Sequence, residues 1–227
     1  MTWQIVGGTW QRELGDRLTG RLPAGATHRV AGSAREETQL DGWSDLDLHV
    51  DLGGRVDPVD LLTGEDVWAC AEEISAAAGE QVLRVVLADG RRLDLVVHGG
   101  RVLVPPLAAD NDVRWVAVLA AAKLGRGDRL IGLHLVLDLL RRFLEVAMQV
   151  RDRDLGTTVH RSGSGHDVLA DEATALLRGP LTPRLVQGVV DLYGTWRGEL
   201  EPDYVPDWSG LSAVIRRGLR QPAATGQ

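Results

Sequence analysis

Two aspartates stand two residues apart, at Asp45 and Asp47, in a stretch from residue 45 to 52 where polar and apolar side chains alternate. Residues two apart on a β-strand point to the same side, so both carboxylates can reach a common pair of cations. A third aspartate, Asp94, lies within the apolar stretch 93–97, where a buried charge would be costly. We therefore expect Asp94 to face a polar cleft, which it would share with Asp45 if its strand were a hairpin neighbour of the Asp45 strand.

Three carboxylates in one cleft repel one another and resist full ionisation unless a cation is present. Magnesium suits such a site because it prefers hard oxygen ligands and uses few protein carboxylates together with phosphate oxygens and water. Two ions about 3.5–4 Å apart can clamp the attacking and leaving oxygens of a displacement at phosphorus. The cluster thus predicts a catalytic site with two Mg²⁺ ions at Asp45, Asp47 and Asp94, in which Asp94 is either a further metal ligand or the general base.

A Gly-Ser pair, Gly32 and Ser33, precedes the aspartates, with eleven residues between Ser33 and Asp45. Its backbone N–H groups and hydroxyl are not blocked by a bulky side chain and can hold the terminal phosphates of a nucleotide. An Asp-x-Asp pair alone is more often a solvated strand face, and a Gly-Ser pair alone is usually a turn. Their combination, in this order and with a later strand aspartate, favours a site that binds a nucleoside triphosphate.

Three basic residues in the second half are further candidates. Lys123 is the only lysine, and every other basic side chain apart from histidine is arginine. We expect Lys123 to stand where a compact ammonium is required, such as against the triphosphate, unless it is simply an exposed residue at a helix end. The loop 157–163 holds His160 and Arg161, which would bind phosphate or a second substrate unless the loop is an exposed connector.

Polar residues also recur every three or four positions on the helix predicted at 129–153. They form one stripe: His134, Asp138, Arg141, Glu145, Gln149 and Asp152. The stripe faces either bulk water or a cleft. In a cleft, Asp138 and Glu145 would contact the acceptor, the second substrate, whose hydroxyl attacks the phosphorus. A carboxylate there could take the proton from that hydroxyl.

The elements that must position these residues follow from hydrophobic spacing and turn residues. Apolar positions at helical spacing predict helices at 8–22 and 64–78. Alternating and β-prone runs predict strands at 27–31, 45–52, 81–88 and 92–98, with a hairpin turn at Asp89-Gly90. After Pro105-Pro106 the pattern is helical, at 112–124, 129–153, 169–177, 183–199 and 211–219. We expect an α+β protein with two domains, residues 1–107 and 108–227.

The composition limits the partners. The formal net charge of -7 argues against a nucleic acid, whose phosphates are held by clustered Lys and Arg, and favours a cationic substrate. No apolar run approaches the roughly 20 residues needed to cross a bilayer, so we expect no membrane partner. The first residues carry no secretory leader pattern, and we expect a cytoplasmic protein.

The candidate site resembles a known superfamily. The Gly-Ser pair, the spacer, the Asp-x-Asp motif and the later strand aspartate, over residues 30–97, resemble the DNA polymerase beta-like nucleotidyltransferases. The runs at 30–35 (VAGSAR) and 89–95 (DGRRLDL), followed by an all-helical half, resemble bacterial antibiotic nucleotidyltransferases, closest to the aminoglycoside 6-adenylyltransferase group. The resemblance implies that Arg35 joins Gly32 and Ser33 at the nucleotide.

For the fold, the resemblance implies a polymerase beta-like catalytic domain, a mixed sheet with helices, followed by an all-α helical-bundle domain that supplies the acceptor-binding surface. For function, it implies transfer of a nucleoside monophosphate, with AMP from ATP the first choice, to a hydroxyl of a small molecule such as an aminoglycoside, and hence antibiotic resistance. Two alternatives stay open. One is adenylylation of a protein, as in toxin–antitoxin pairs, and the other is a nucleotide-binding regulator without turnover.

Overall fold

The structure is a computed structural model that describes residues 9–32, 40–75, 77 and 79–220. This part of the chain is α+β, with one five-stranded mixed sheet and six α-helices. The strands are β1 (Thr27–Ala31), β2 (Leu46–Asp51), β3 (Val67–Ser75), β4 (Glu80–Leu87) and β5 (Arg92–His98). The helices are α1 (Thr9–Thr19), α2 (Asn111–Gly125), α3 (Arg129–Leu155), α4 (Val168–Leu177), α5 (Pro183–Leu200) and α6 (Ser209–Arg220).

The strands are ordered β1-β2-β5-β4-β3 across the sheet. β2 and β5 run parallel, and every other neighbouring pair is antiparallel. β5, which carries Asp94, therefore lies beside β2, which follows Asp45. The two strands are parallel, so the predicted hairpin pairing between them is wrong. The hairpin partner of β5 is β4, through the turn at Asp89 and Gly90, and the opposite edge of β5 is left to accept β2.

The two faces of the sheet differ in polarity because its strands alternate. Leu46, Leu48 and Val50 of β2 are buried, whereas Asp47 and His49 between them are half-buried. The buried side belongs to one hydrophobic core cluster, to which α1 contributes apolar side chains and so covers this face. The alternation predicted for residues 45–52 is thus present, and it leaves the aspartates on the polar face.

The helix predicted at 64–78 is wrong, because Val67–Ser75 form β3. Apolar residues do recur there at helical spacing, but Ile74, one of them, is 46% exposed. The residues that are buried are consecutive: Trp68, Ala69 and Cys70. β3 is an edge strand that pairs with β4 over Val67–Ser75, with a register shift between Val67 and Ala69, and this pairing outweighs the local spacing.

The chain forms two compact units. The first contains the sheet and α1, and it comprises the described residues up to Trp115 together with those from Arg216 onward. The second is Val116–Ile215, in which α3 packs against α5 and α4. The division falls within α2 and within α6, whereas the predicted boundary at 107 and 108 precedes α2.

All five helices predicted after residue 108 are present, each with bounds within two residues of the prediction. None of the described helices is long and apolar enough to cross a membrane.

Candidate active site

Asp47 and Asp94 occupy paired positions on adjacent parallel strands. Their Cα atoms are register partners between β2 and β5, and neighbouring strands lie about 4.8 Å apart. Both side chains are on the polar face of the sheet, between buried apolar neighbours. Asp45 directly precedes β2, two residues before Asp47, and its side chain is 23% exposed. Three acidic residues are therefore gathered where β2 and β5 begin.

Gly32 directly follows β1 and lies against this cluster. The preceding residue, Ala31, is the register partner of Asp47, and Gly32 has a φ of +59°. A Cβ atom on Gly32 would lie 1.8 Å from Oδ2 of Asp47, so any side chain there would displace the carboxylate. The backbone of this turn approaches the carboxylate as closely as it does only because residue 32 is glycine. Ser33 and Arg35, the other residues predicted at the nucleotide, lie outside the described residues.

Arg92 is a member of the cluster to which sequence reasoning assigned no role. Its side chain is buried, its Nη2 lies 3.2 Å from Oδ2 of Asp45, and the same nitrogen donates to the carbonyl of Trp43. Arg92 stands two residues before Asp94 on β5 and thus on the same face. The spacing of two residues between Arg92 and Asp94 was visible in the sequence and could have identified Arg92 as a member of the cluster.

The electrostatics of Asp94 reflect these neighbours. Burial raises the pKa of its carboxyl to about 6, the charges of Asp45 and Asp47 add to the increase, and Arg92 and Arg84 oppose it. Arg84 is the register partner of Asp94 on β4. At neutral pH an ionised Asp94 is therefore held at a cost, which an added cation would offset.

The donor set at this end of the sheet fits magnesium, since it consists of aspartate oxygens with the exposed backbone of Gly32 beside them. Among the described residues, however, no three His, Cys, Asp or Glu side chains converge closely enough to form a metal-binding group. Asp45 pairs instead with Arg92, with Nη2 3.2 Å from its Oδ2.

Lys123 and His160, two of the basic residues predicted in the second half, have local partners. Lys123 lies in the last turn of α2, with Nζ 3.4 Å from Oδ2 of Asp128, and its side chain is 37% exposed. His160 places Nε2 2.7 Å from Oδ1 of Asp152, the last member of the α3 stripe, and Arg161 is exposed. Contact of these residues with a triphosphate or an acceptor stays a prediction.

The two acidic residues predicted at the acceptor, Asp138 and Glu145, are both paired within α3. Arg141 contacts both of them, with Nη2 2.9 Å from Oδ1 of Asp138, and Arg142 lies 3.1 Å from the second oxygen of Asp138. Burial alone would raise the pKa of Asp138, but hydrogen bonds from the two arginines lower it below its ordinary value. The charges of Asp138 and Glu145 are thus compensated by arginines of the same helix.

Glu145 also lines a groove of about 450 Å³ between α3 and α4. The rest of its lining is mostly apolar, with Leu137, Leu144 and Met148 from α3 and Ala173 from α4. A groove of this size and lining is within the range of small-molecule sites.

No protein-family model, curated protein or solved structure matches this chain.

Proposed function

We propose that this protein is a magnesium-dependent nucleotidyltransferase that transfers a nucleoside monophosphate, with AMP from ATP the first choice, to a hydroxyl of a small molecule. The observation that carries the proposal is the pairing of Asp47 with Asp94 on adjacent parallel strands, with Asp45 two residues earlier and the turn at Gly32 pressed against Asp47. Burial, together with the charges of Asp45 and Asp47, opposes ionisation of Asp94, and a carboxyl group with such a raised pKa is typical of functional sites.

In this proposal Asp45, Asp47 and Asp94 would hold Mg²⁺, which supplies charge neutralisation at the phosphates and orients the reacting oxygens. The backbone of Gly32 lies next to Asp47, where the terminal phosphates of the nucleotide would lie. Arg92 keeps Asp45 oriented, because its guanidinium is itself fixed by the carbonyl of Trp43. Catalysis then consists of positioning and electrostatic stabilisation at phosphorus.

For the acceptor we propose a cationic small molecule of the aminoglycoside kind. The net charge of -7 supports it, because an acidic protein attracts cations at long range. Within the second unit, the groove bordered by Glu145 is of a suitable size. An exposed carboxylate at its border would meet an ammonium group of the acceptor in competition with Arg141.

The test is a screen for pyrophosphate release, with ATP, GTP, CTP and UTP each combined with a panel of aminoglycosides in the presence of Mg²⁺. Release that requires both an acceptor and Mg²⁺, and that is lost in Asp47→Asn, is the expected result. A protein acceptor would instead appear as a mass increase of one nucleoside monophosphate on a partner. Metal-dependent nucleotide binding with no pyrophosphate released under any combination would contradict the proposal and favour a regulator.

A further inference from the structure

The loop at residues 41–44, which leads directly into Asp45, is closed on itself by hydrogen bonds. Oδ1 of Asp41 accepts from the backbone N–H of Trp43 and from the hydroxyl of Ser44, both at 2.9 Å. The backbone N–H of Asp41 donates in turn to Oγ of Ser44 at 3.0 Å. Trp43 and Ser44 are both buried, so the loop is a rigid support rather than a free connection.

Trp43 connects this loop to the carboxylate cluster on one side. Its carbonyl accepts a hydrogen bond from Nη2 of Arg92, and the same nitrogen lies 3.2 Å from Oδ2 of Asp45. The guanidinium is thus shared between a backbone acceptor and the carboxylate. A displacement of Trp43 would move the acceptor that fixes Arg92 and, through Arg92, the orientation of Asp45.

On the other side Trp43 packs against the end of α6. A Cβ atom on Gly218 would lie 2.2 Å from Cε2 of the Trp43 indole and 2.3 Å from Cδ2 and Cζ2. The loop backbone is equally close, since a Cβ atom on Gly42 would lie 2.5 Å from the carbonyl oxygen of Arg217. Two glycines therefore permit a contact between helix and loop that no other residue type allows.

The end of α6 is in turn anchored on other parts of the first unit. Nε of Arg217 donates to the carbonyl of Asp89 at 3.0 Å, in the turn between β4 and β5. The guanidinium of Arg217 also lies 5.5 Å from the centre of the Trp10 ring on α1. These contacts fix the position of Gly218 relative to the sheet. The end of α6 therefore limits the movement of the Trp43 indole toward it.

We propose that the end of α6 positions Asp45 for metal binding, through the contact of Gly218 with Trp43 and the hydrogen bond from Arg92. Gly218, Trp43 and Arg92 are positioning residues, and none of them needs to touch the metal or the nucleotide. The inference rests on the proposed function, because it assigns Asp45 to the metal.

The test compares Gly218→Ala with Gly198→Ala in the full-length chain. Both changes add one methyl group in a helix, where alanine is favoured over glycine by about 0.5–1 kcal/mol. The nearest described atom to a Cβ on Gly198 is the carbonyl oxygen of Tyr204 at 3.9 Å, so only the change at Gly218 displaces its neighbour. Binding of Mn²⁺ alone, measured by electron paramagnetic resonance without nucleotide, is the readout.

We expect Gly218→Ala to raise the Kd for Mn²⁺ at least tenfold and Gly198→Ala to leave it unchanged. Adding Trp43→Leu to Gly218→Ala removes the indole, whose Cδ2, Cε2 and Cζ2 atoms the added methyl group would meet, and should restore much of the affinity. Should Gly218→Ala fail to fold, Arg217→Ala loosens the helix end without overpacking, and a several-fold increase in the Kd is expected of it.

A wild-type Kd for Mn²⁺ in folded Gly218→Ala, or in folded Arg217→Ala, overturns the inference and leaves the proposed function standing if pyrophosphate is still released. Failure of the double variant to regain affinity overturns the role of Trp43. A wild-type protein that neither binds Mn²⁺ nor releases pyrophosphate refutes the proposed function itself, and this inference with it.

Discussion

Among single residues, Asp94 bears the largest electrostatic cost in the candidate site. Burial together with Asp45 and Asp47 raises the pKa of its carboxyl to about 6, although Arg92 and Arg84 act in the opposite direction. A side chain that only stabilised the fold would be better replaced by an uncharged one. Retention of the charge is expected where a cation is bound, and its cost can be measured as a loss of stability when metal is withheld.

Asp94→Asn should therefore stabilise the metal-free protein at neutral pH and have little effect near pH 4. Because the pKa of about 6 in the folded protein exceeds the ordinary 3.8, the folded state binds the proton more tightly. The contribution of this tighter proton binding to the stability of the folded protein is fully present below pH 3.8 and is lost as the pH rises through 6. The whole shift corresponds to at most about 3 kcal/mol, which Asn would recover.

The measurement is the difference in Tm between Asp94→Asn and wild type, in chelator, from pH 4 to pH 8. The difference should grow with pH and level off above pH 7. Asp16→Asn, on the exposed side of α1, controls for the loss of one negative charge. A Tm difference that does not change with pH would show that the pKa of Asp94 is not raised in the folded protein.

At the scale of elements, the site depends on the end of one strand meeting the start of another. β1 ends at Ala31, opposite Asp47 on β2, and the next residue, Gly32, adopts a positive φ. Gly32 meets two requirements, a positive φ and a backbone that leaves the Asp47 carboxylate undisturbed. These two requirements can be separated, because glycines with positive φ occur elsewhere in open surroundings.

Gly32→Ala should reduce transfer at least tenfold, whereas Gly53→Ala should not. Both glycines have positive φ, +59° and +67°, so each variant carries a similar backbone cost of about 1–2 kcal/mol. A Cβ on Gly32 would lie 1.8 Å from Asp47, but one on Gly53 would meet no described atom within 4 Å. Turnover and Tm of both variants are measured together. Equal turnover in the two variants would mean that the approach of Gly32 to Asp47 has no catalytic consequence.

Much of this arrangement of elements could be predicted from the sequence. The strands at Thr27–Ala31 and Arg92–His98 were predicted with their exact bounds, because β-prone or alternating residues end at clear turn signals. The helices after residue 108 were predicted for the equivalent reason. β3 was not, because its apolar residues fit helical spacing and its true environment is supplied by β4, which local spacing does not report.

The candidate site was predicted only as far as spacing along a single strand allows. Asp45 and Asp47 follow from a period of two, and the half-buried position of Asp94 follows from the cost of burying a charge. The parallel pairing of β2 with β5 and the link from Gly218 through Trp43 to Arg92 depend on residues far apart in sequence. No local pattern encodes such contacts, so they required the structure.

At the scale of the whole molecule, the acidic balance bears on the acceptor. The chain carries a formal charge of -7, which attracts cations over distances comparable to the screening length, about 8–10 Å at physiological salt. Within α3, however, Arg141 and Arg142 already compensate Asp138, and Arg141 also pairs with Glu145. Attraction of a cationic acceptor should therefore come mainly from the overall charge, with Glu145 adding a local contribution at the groove.

Raising the salt concentration should accordingly increase the KM of a polycationic acceptor several-fold and change the KM of the nucleotide little. The nucleotide would be held by direct coordination to the metal, which salt screens less. Glu145→Gln should raise the acceptor KM further than Glu172→Gln, which changes the net charge equally at an exposed site on α4 outside the groove. Parallel shifts of both constants with salt, and equal effects of the two variants, would argue against a cationic acceptor at this groove.

The most direct measurement uses a nucleoside triphosphate labelled separately at the α- and γ-phosphorus, with an acceptor found in the pyrophosphate screen. Nucleotidyl transfer at the aspartate cluster predicts that the α-label moves to the acceptor only with Mg²⁺. It also predicts that the γ-label leaves in pyrophosphate, and that Asp47→Asn lowers transfer by at least about 10²–10³-fold while remaining folded. Appearance of the γ-label on the acceptor, or undiminished α-label transfer by Asp47→Asn, would contradict the proposed chemistry at Asp45, Asp47 and Asp94.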